Sequence, residues 1–598
     1  MLASLGLEHL GSVGKWVFIA TLIGLVGGVA AVIFEHLIQL VAQNVLVRPA
    51  SVEGEGASSA VGWRSLLFLL VPAAGGYAAV WLSMRFAPDA RGHGTEQMIR
   101  SFHEKDGEVQ KPTILVKAVA SAVTIGSGGS GGQEGPVAQI GAGIGSAIAD
   151  TLRLPHRDRR IFLLAGASAG IGALFCAPLG GALFAPEVLY KKPEYEGEAI
   201  IPCIIASIVA FTTRTSITAE SRVIEIAPEV QSALRFGDWR ELLLYLALAL
   251  ACTLISFIYV KTFKGVHGLF ERLKLLSAPQ RGALGGLLLG VLALAIAPTA
   301  GSHGVFFGGY GLMRGSIGND LGVGLLGLLI GAKILGTSFT IGSGGSGGLF
   351  APSLAIGAMT GALVGRGGAE LLPWLDVEPA CFAFVGMGGF FAGVAKTPIA
   401  SIIIVCEMTG SYGLLAPLML VSVLHLLLAT RWSIYDTQVA GLVDSPAHAG
   451  EFVVDVLEGM KVGDLLERFA KPTLVSENTT LRRALEIVAA SRSTYFPVVD
   501  KEERLVGIFG LTDIRRIFQE EEIADLVIVR DFMVEDVVTV TPEHTLDEAL
   551  QRLNERAIAQ LPVVDAENPR RVVGMLSRNN LGAAYHTKLR ELQRAGTA

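Results

Sequence analysis

The stretch TIGSGGSGG occupies residues 124–132, and the same nine residues return at 340–348, an offset of 216 (340 − 124). Taken alone, the string has the composition of a flexible Gly/Ser linker. Its flanks argue against that reading. Each copy follows an apolar stretch carrying a lysine seven residues before the threonine, Lys117 and Lys333. Each copy also runs into a proline-started apolar segment, QEGPVAQIGAGIG after the first and LFAPSLAIGAMTG after the second. A linker repeated by chance would not bring its surroundings with it.

The duplication extends beyond the nonamer. GASAGIGALFCAPLGGALFAPEVL (166–189) aligns with GMGGFFAGVAKTPIASIIIVCEMT (386–409), pairing Gly166 with Gly386, Pro178 with Pro398 and Glu187 with Glu407. These matches describe two homologous halves, about 60–215 and 280–430. Internal repeats of this kind suggest a transporter-like architecture, with the site where broken helices of the two halves meet. Sequence symmetry leaves open whether the halves run parallel or inverted.

Composition names the solvent. Of 598 residues, 51% are hydrophobic and 17% charged, against roughly 25% charged in soluble domains, and the mean hydropathy is +0.53. Apolar runs of membrane-helix length recur at 16–33, 239–260 and 282–298, and about 20 such residues cross a bilayer. Residues 1–440 therefore read as a mainly α, multi-pass membrane protein. The first long run has no small-residue cleavage pattern after it, so a retained helix is expected rather than a signal peptide. A net charge of −6, spread along the chain, gives no sign of nucleic-acid binding. Cys176, Cys203, Cys252, Cys381 and Cys406 all fall in apolar segments without metal spacing, which suits buried packing.

After a linker at 441–457 the composition changes and a second repeat begins. FPVVDKEERLVGIFGLTDI (496–514) parallels LPVVDAENPRRVVGMLSRNNL (561–581), and each follows an amphipathic helical pattern, TLRRALEIVAAS or TLDEALQRLNERA. A β-α-β-β-α unit used twice in a soluble tail is expected. The spacing resembles tandem CBS domains, at 458–522 and 526–590, which implies adenine-nucleotide binding (ATP, ADP or AMP). A purely bracing role for the tail is the alternative.

Five glycines in nine residues oppose a regular helix, each costing up to ~1 kcal/mol relative to alanine. Non-helical backbone survives at membrane depth only inside protein or beside an aqueous cavity. Each nonamer leads into a helix beginning near a proline, Pro136 or Pro352, a favoured first-turn residue. Such a start presents unpaired N–H groups and the positive end of a dipole. Two starts facing one another cradle an anion without a fixed cation, which keeps binding weak enough for exit. Glu134, in GGQEGP, breaks the neutral character at the first start. Its plain role is a helix cap. Its functional role would be to occupy the anion site until protonated or displaced, since an ionisable group at membrane depth is a functional candidate.

GQEGP (132–136), GGLFAP (347–352), the lone Tyr435 after the last apolar run and FAPDARGHGTEQ (86–97) together resemble the CLC chloride channels and chloride/proton exchangers. The resemblance covers nearly the whole chain, because tandem CBS domains follow the membrane part in many members. It implies a homodimer in the lipid bilayer, with an anion pathway in each subunit and about eighteen uneven helices in two inverted repeats. It further implies residence in the cell (inner) membrane with the CBS tail in the cytoplasm. Carried over by residue, Glu134 is the gate, the N–H groups of Gly135, Leu349 and Phe350 face chloride, and the Tyr435 hydroxyl donates to it.

Two positions depart from the family pattern. His93 stands where a serine hydroxyl usually serves the central anion site. It would donate through an N–H, or carry charge when protonated, or turn away and leave the Gly92 or Gly94 backbone to serve. Val188 stands where exchangers usually keep an inner proton glutamate, which inclines the expectation to a passive voltage- or pH-gated chloride channel. The alternative is exchange through a non-standard inner relay, with Glu194 and Glu196 as nearby carboxylates. In the tail, the second repeat holds the full nucleotide pattern with Gly574, Ser577 and Asn580, while the first keeps Gly507 and Asp513 but has Gly510 at the hydroxyl position. Thr473, Thr494 and Tyr495 would line the adenine side by analogy.

Enzyme classes find no footing. HEKDG (103–107) lacks the second histidine of a zinc protease. Loops that lead into helix N-termini have the wrong polarity for a cation. Fluoride-specific relatives usually depart from GxEGP, so chloride is the expected ion.

Overall fold

Uninterrupted apolar runs become long helices, and glycine-rich or proline-led ones become short buried helices. The structure is a computed structural model that describes residues 12–50, 66–220, 222–224, 228–300, 304–318, 320–448, 457, 459–468, 472–491, 493–515, 524–556 and 558–595. The chain divides into two compact units, one running through Ala447 and one starting at His448.

In the first unit, six helical segments among the described residues are long and apolar enough to cross a bilayer: Gly14–Val47, Leu67–Phe86, Gly197–Thr218, Trp239–Arg272, Ala278–Thr299 and Val323–Gly342. They expose Ile33, Leu70, Ile201 and Leu254 outward, a surface that suits hydrocarbon. The helices that follow the nonamers, Glu134–Thr151 and Phe350–Leu371, lie at the centre and are buried over most of their length. Each pairs with the next helix of its own half, His156–Leu174 or Pro379–Ala395. The pairs touch at backbone distance. A Cβ on Gly141 would lie 2.1 Å from the Gly166 carbonyl oxygen, and one on Gly357 would lie 2.4 Å from that of Gly386. Small residues allow such crossings where lipid supplies no hydrophobic drive. All five cysteines are free and buried, as expected.

The first unit reaches further than the sequence suggests. Residues 441–447, expected as linker, pack onto it: the Leu442 N–H donates to Glu194 Oε2, and Ser445 Oγ lies 2.8 Å from His103 Nδ1. Local polar pairing holds a segment whose composition alone resembles a tether. Residues 449–456 of that expected linker lie outside the described residues.

The second unit contains the repeated motif. β1 (Val475–Ser476) runs parallel to β2 (Tyr495–Val499), which pairs antiparallel with β3 (Leu505–Gly510), with Phe496 opposite Phe509. The Leu481–Ala490 helix connects β1 to β2, and the Leu511–Arg515 helix follows β3. In the second copy β4 (Gln560–Val564) and β5 (Val572–Ser577) pair in the same register, Leu561 opposite Leu576. A single parallel bridge from Val540 to Val563 stands in for β1. Thr545 caps the Leu546–Glu555 helix by a capping box with Glu548, the Glu548 N–H reaching Thr545 Oγ1 at 3.1 Å. Each copy has its own core, Leu481, Phe496 and Phe509 in one and Leu546, Leu561 and Leu576 in the other.

Candidate anion pathway

The two nonamers meet each other. The Gly132 N–H donates to the Gly348 carbonyl at 2.8 Å, and the Gly348 N–H donates back to that of Gly132 at 2.6 Å. The Ser130 N–H donates to Thr340 Oγ1 at 3.0 Å, and the Ser346 N–H to Thr124 Oγ1 at 3.2 Å. Ser130 Oγ lies 3.1 Å from Thr337 Oγ1, and Ser346 Oγ lies 2.8 Å from Ser121 Oγ. Every bond has its partner one repeat along the chain, so a local twofold relates the loops. Gly128 and Gly344 turn them with φ of +99° and +103°, a conformation a side chain would strain. A string that looks like a tether is a fully bonded, buried crossing.

The crossing delivers two helix starts to one place. Gly135 is in the first turn of the Glu134–Thr151 helix, while Leu349 and Phe350 open the Phe350–Leu371 helix. N–H groups at these positions have no acceptor within their own helix. Phe350 closes one side, its ring centroid 3.9 Å from that of Phe391 and 4.6 Å from that of Phe175.

Glu134 is 1% exposed. Its Oε1 accepts from the Tyr310 hydroxyl. Oε2 has no hydrogen-bond partner of good geometry among the described residues, although the N–H groups of Glu134 itself and Ala351 face the carboxylate. Gly132 makes room for it, since a Cβ there would lie 2.0 Å from Oε2. The carboxylate thus sits between the two helix starts, where an anion is favoured.

Two other expected residues bring buried polar atoms to this region. Tyr435 is 1% exposed and its hydroxyl has no hydrogen-bond partner of good geometry among the described residues, with Thr95 the side chain facing it. His93 precedes the Gly94–Glu104 helix, its ring centroid 5.7 Å from that of Tyr435. Its Nε2 lies 2.7 Å from Glu96 Oε2, whereas Nδ1 is buried without a hydrogen-bond partner among the described residues.

The two repeated lysines are bonded to backbone carbonyls. Lys117 and Lys333 are fully buried, and Lys117 Nζ donates to the carbonyls of Ala90 (3.0 Å) and Gly92 (2.7 Å). Lys333 Nζ donates to Val305, Phe306 and Phe307 at 3.2, 3.4 and 2.6 Å. Cations line the approaches. A cavity of about 950 Å³ reaches Gln133 and Tyr310 and contains Arg214, Arg222 and Arg314 against Glu35 and Glu220. Another, of about 320 Å³, reaches Tyr435 and contains Lys191, Lys261, Lys264 and Arg431 against Asp436. Clefts with a surplus of one sign concentrate the opposite ion.

Val188 is fully buried and ends the Pro178–Glu187 helix, its carbonyl accepting from Gln438 Nε2 at 2.8 Å. Glu194 and Glu196, the carboxylates near it in sequence, are held by the Leu442 N–H and by the Tyr190 hydroxyl (2.9 Å) respectively. Tyr310 and Glu96 were not singled out from the sequence. The available signal was the repeat itself, which places Tyr310 opposite Gly94.

In the tail the expected nucleotide residues do not all converge. Tyr495 and Asp513 line a cavity of about 340 Å³ with Thr512 and Asp536. Asp513 Oδ2 accepts from the Gly510 N–H at 2.8 Å. Asn580 Oδ1 accepts from the Ser577 N–H at 2.9 Å and from its hydroxyl, so this pair caps the Arg578–Ala595 helix. Thr473, Thr494, Ser577 and Asn580 are not among the residues lining that cavity.

Comparison with known proteins places this geometry. The profile of the family described as "Voltage gated chloride channel" matches residues 75–429, and that of the CBS domain matches 462–520 and 529–585. The protein named "H(+)/Cl(-) exchange transporter ClcA" of Vibrio campbellii is 30% identical over 413 residues, covering 68% of this chain and 84% of that protein. Its namesake in Yersinia pseudotuberculosis is 31% identical over 402 residues, covering 67% and 81%. A slow cyanobacterial Cl−/H+ antiporter superposes with a TM-score of 0.62 at 24% identity, covering 69% of this chain and 94% of that one. A eukaryotic CLC transporter superposes over 95% and 98% with a TM-score of 0.56 at 19% identity. At such identities the structural matches establish the fold. The relatives carry exchanger names, so the expectation of a channel gains nothing from them. The chain belongs to the voltage gated chloride channel family, with two CBS domains following its membrane unit.

Proposed function

We propose that this chain exchanges chloride for protons across the cell (inner) membrane, as a homodimer whose CBS tail is cytoplasmic. The observation that carries the reading is the Glu134 carboxylate lodged between two helix starts. Ionised, it fills the place of an anion. Protonated, it loses the charge that holds it there, and chloride takes its place. One side chain thereby serves both ions, which is what exchange requires. Chloride passes from one cationic cavity to the other by the Tyr435 hydroxyl and the N–H groups of Gly135, Leu349 and Phe350. The exchanger names of relatives at 30–31% identity support this reading.

Protons need an ionisable step on the Tyr435 side, because an unpaired charge in the membrane interior is costly. Val188 supplies none. His93 does: its Nε2 lies 2.7 Å from Oε2 of Glu96, which is 19% exposed, and its Nδ1 is buried without a hydrogen-bond partner among the described residues. We assign the step to this pair. Val188 favours the second reading, a passive gated channel. Purified protein in liposomes, under crossed chloride and pH gradients, separates the two. Exchange drives protons uphill on a chloride gradient, whereas a channel reverses at the chloride equilibrium potential and moves none.

For the tail we propose adenine-nucleotide binding at the cavity lined by Tyr495 and Asp513, supported by the CBS match. The bracing role remains if no nucleotide binds.

A further inference from the structure

The two halves place different residues at one repeated position. In the first half, Lys117 pins the carbonyls of Ala90 and Gly92, and the Gly94–Glu104 helix starts two residues later. In the second, Lys333 pins Val305, Phe306 and Phe307, and the Tyr310–Ile317 helix starts from Gly309. Tyr310 is the repeat counterpart of Gly94. At Gly94 a side chain is excluded, because a Cβ would lie 2.3 Å from the Gly135 carbonyl oxygen. At Tyr310 the side chain crosses to Glu134 and donates to Oε1.

Its position is set by backbone. Gly309 turns with φ of +95°, and a Cβ there would lie 2.8 Å from that of Ala355. A Cβ on Gly308 would lie 3.2 Å from that of Ala351. The loop before Tyr310 is thus seated on the Phe350–Leu371 helix, whose N-terminus is half of the anion cradle. Tyr310 and Gln133 also line the 950 Å³ cavity, with Arg222 and Arg314.

We infer that Tyr310 is the latch of the gate: its hydroxyl holds the Glu134 carboxylate between the helix starts, and release of that bond lets the side chain swing into the arginine-lined cavity. The inference rests on Glu134 being the gate. A phenol O–H binds a carboxylate far better than a protonated carboxyl, so the latch weakens as Glu134 takes up a proton. Among the described residues, Lys333, Glu35 and Tyr435 lie within electrostatic reach of the pair and Arg222 and Arg314 share its cavity, and none of these replaces the hydroxyl. Tyr310 is therefore a positioning residue.

Tyr310→Phe keeps the ring and deletes the bond. A donor to a carboxylate favours its ionised form, so its loss lets Glu134 protonate at higher pH. Chloride flux from proteoliposomes, measured against pH, is expected to reach half-maximum about one pH unit higher than in the parent. At neutral pH it is expected to run several-fold faster. In a Glu134→Ala background, Tyr310→Phe is expected to change nothing beyond about twofold. An unshifted profile, or an equal change in both backgrounds, overturns the latch. If Glu134→Ala keeps the parental pH profile, the gate reading itself fails, and the two failures stay distinguishable. Matched melting temperatures of parent and variant in detergent exclude misfolding.

Discussion

Glu187 and Glu407 cap each other's helices. Glu187, the last residue of the Pro178–Glu187 helix, accepts from the N–H groups of Ile399 (3.1 Å) and Ala400 (2.8 Å) at the start of the Pro398–Thr409 helix. Glu407, near the end of that helix, accepts from Leu179 (3.3 Å) and Gly180 (2.8 Å) at the start of the first. Tyr195 adds a hydroxyl to Glu187 at 2.7 Å. The same twofold that crosses the nonamers therefore joins the halves a second time, by carboxylates on orphan helix donors. Glu187 is a structural acceptor that holds the helix carrying Val188.

Removing that acceptor leaves buried donors without partners, a loss of roughly 1–3 kcal/mol. Glu187→Ala is expected to lower the melting temperature in detergent by roughly 1–3 °C, and Glu187→Gln by less, since the amide oxygen still accepts. Differential scanning fluorimetry checks this. An unchanged melt for Glu187→Ala would remove the cap from the account of stability.

Glu134→Gln mimics the protonated gate. Chloride flux is expected to stay at or above the parental rate and to lose most of its pH dependence, while proton coupling disappears. Efflux measured at several pH values is the assay. Abolished flux in a folded Glu134→Gln protein would contradict the gate assignment.

His93→Ala removes the buried imidazole, and Glu96→Gln removes the carboxylate paired with it. Both are expected to cut chloride-driven proton movement by tenfold or more while chloride movement persists. Recording external pH and chloride in the same vesicles reads the ratio directly. Parental coupling in both variants would send the proton by another route.

Nucleotide binding by the tail stabilises the folded state by mass action, roughly 2.7 kcal/mol at a hundredfold excess over the dissociation constant. The full chain in detergent is expected to melt at higher temperature with ATP, ADP or AMP, and Asp513→Ala to weaken the shift. Absence of a shift and of binding heat with all three leaves the tail a brace.

The sequence by itself determined the membrane class, the doubled architecture and the twofold tail, because each is written in local composition or in repetition at a fixed offset. It also singled out Glu134, because a charge stands out in a neutral glycine-rich stretch, whereas Tyr435 and His93 were reached only through the resemblance to the CLC family. Only the tertiary structure decided what each of them meets. Tyr310 lies 176 residues from Glu134 in the chain, in a segment without a motif, and nothing local distinguishes it from a packing aromatic. The Glu96 partner of His93 is near in sequence, yet which ring nitrogen it takes depends on how the helix start is seated. The nonamers show the limit most plainly. Their composition is that of a disordered tether, and their order comes from hydrogen bonds to one another across 216 residues. Pairing of that kind exists only once both halves have folded together.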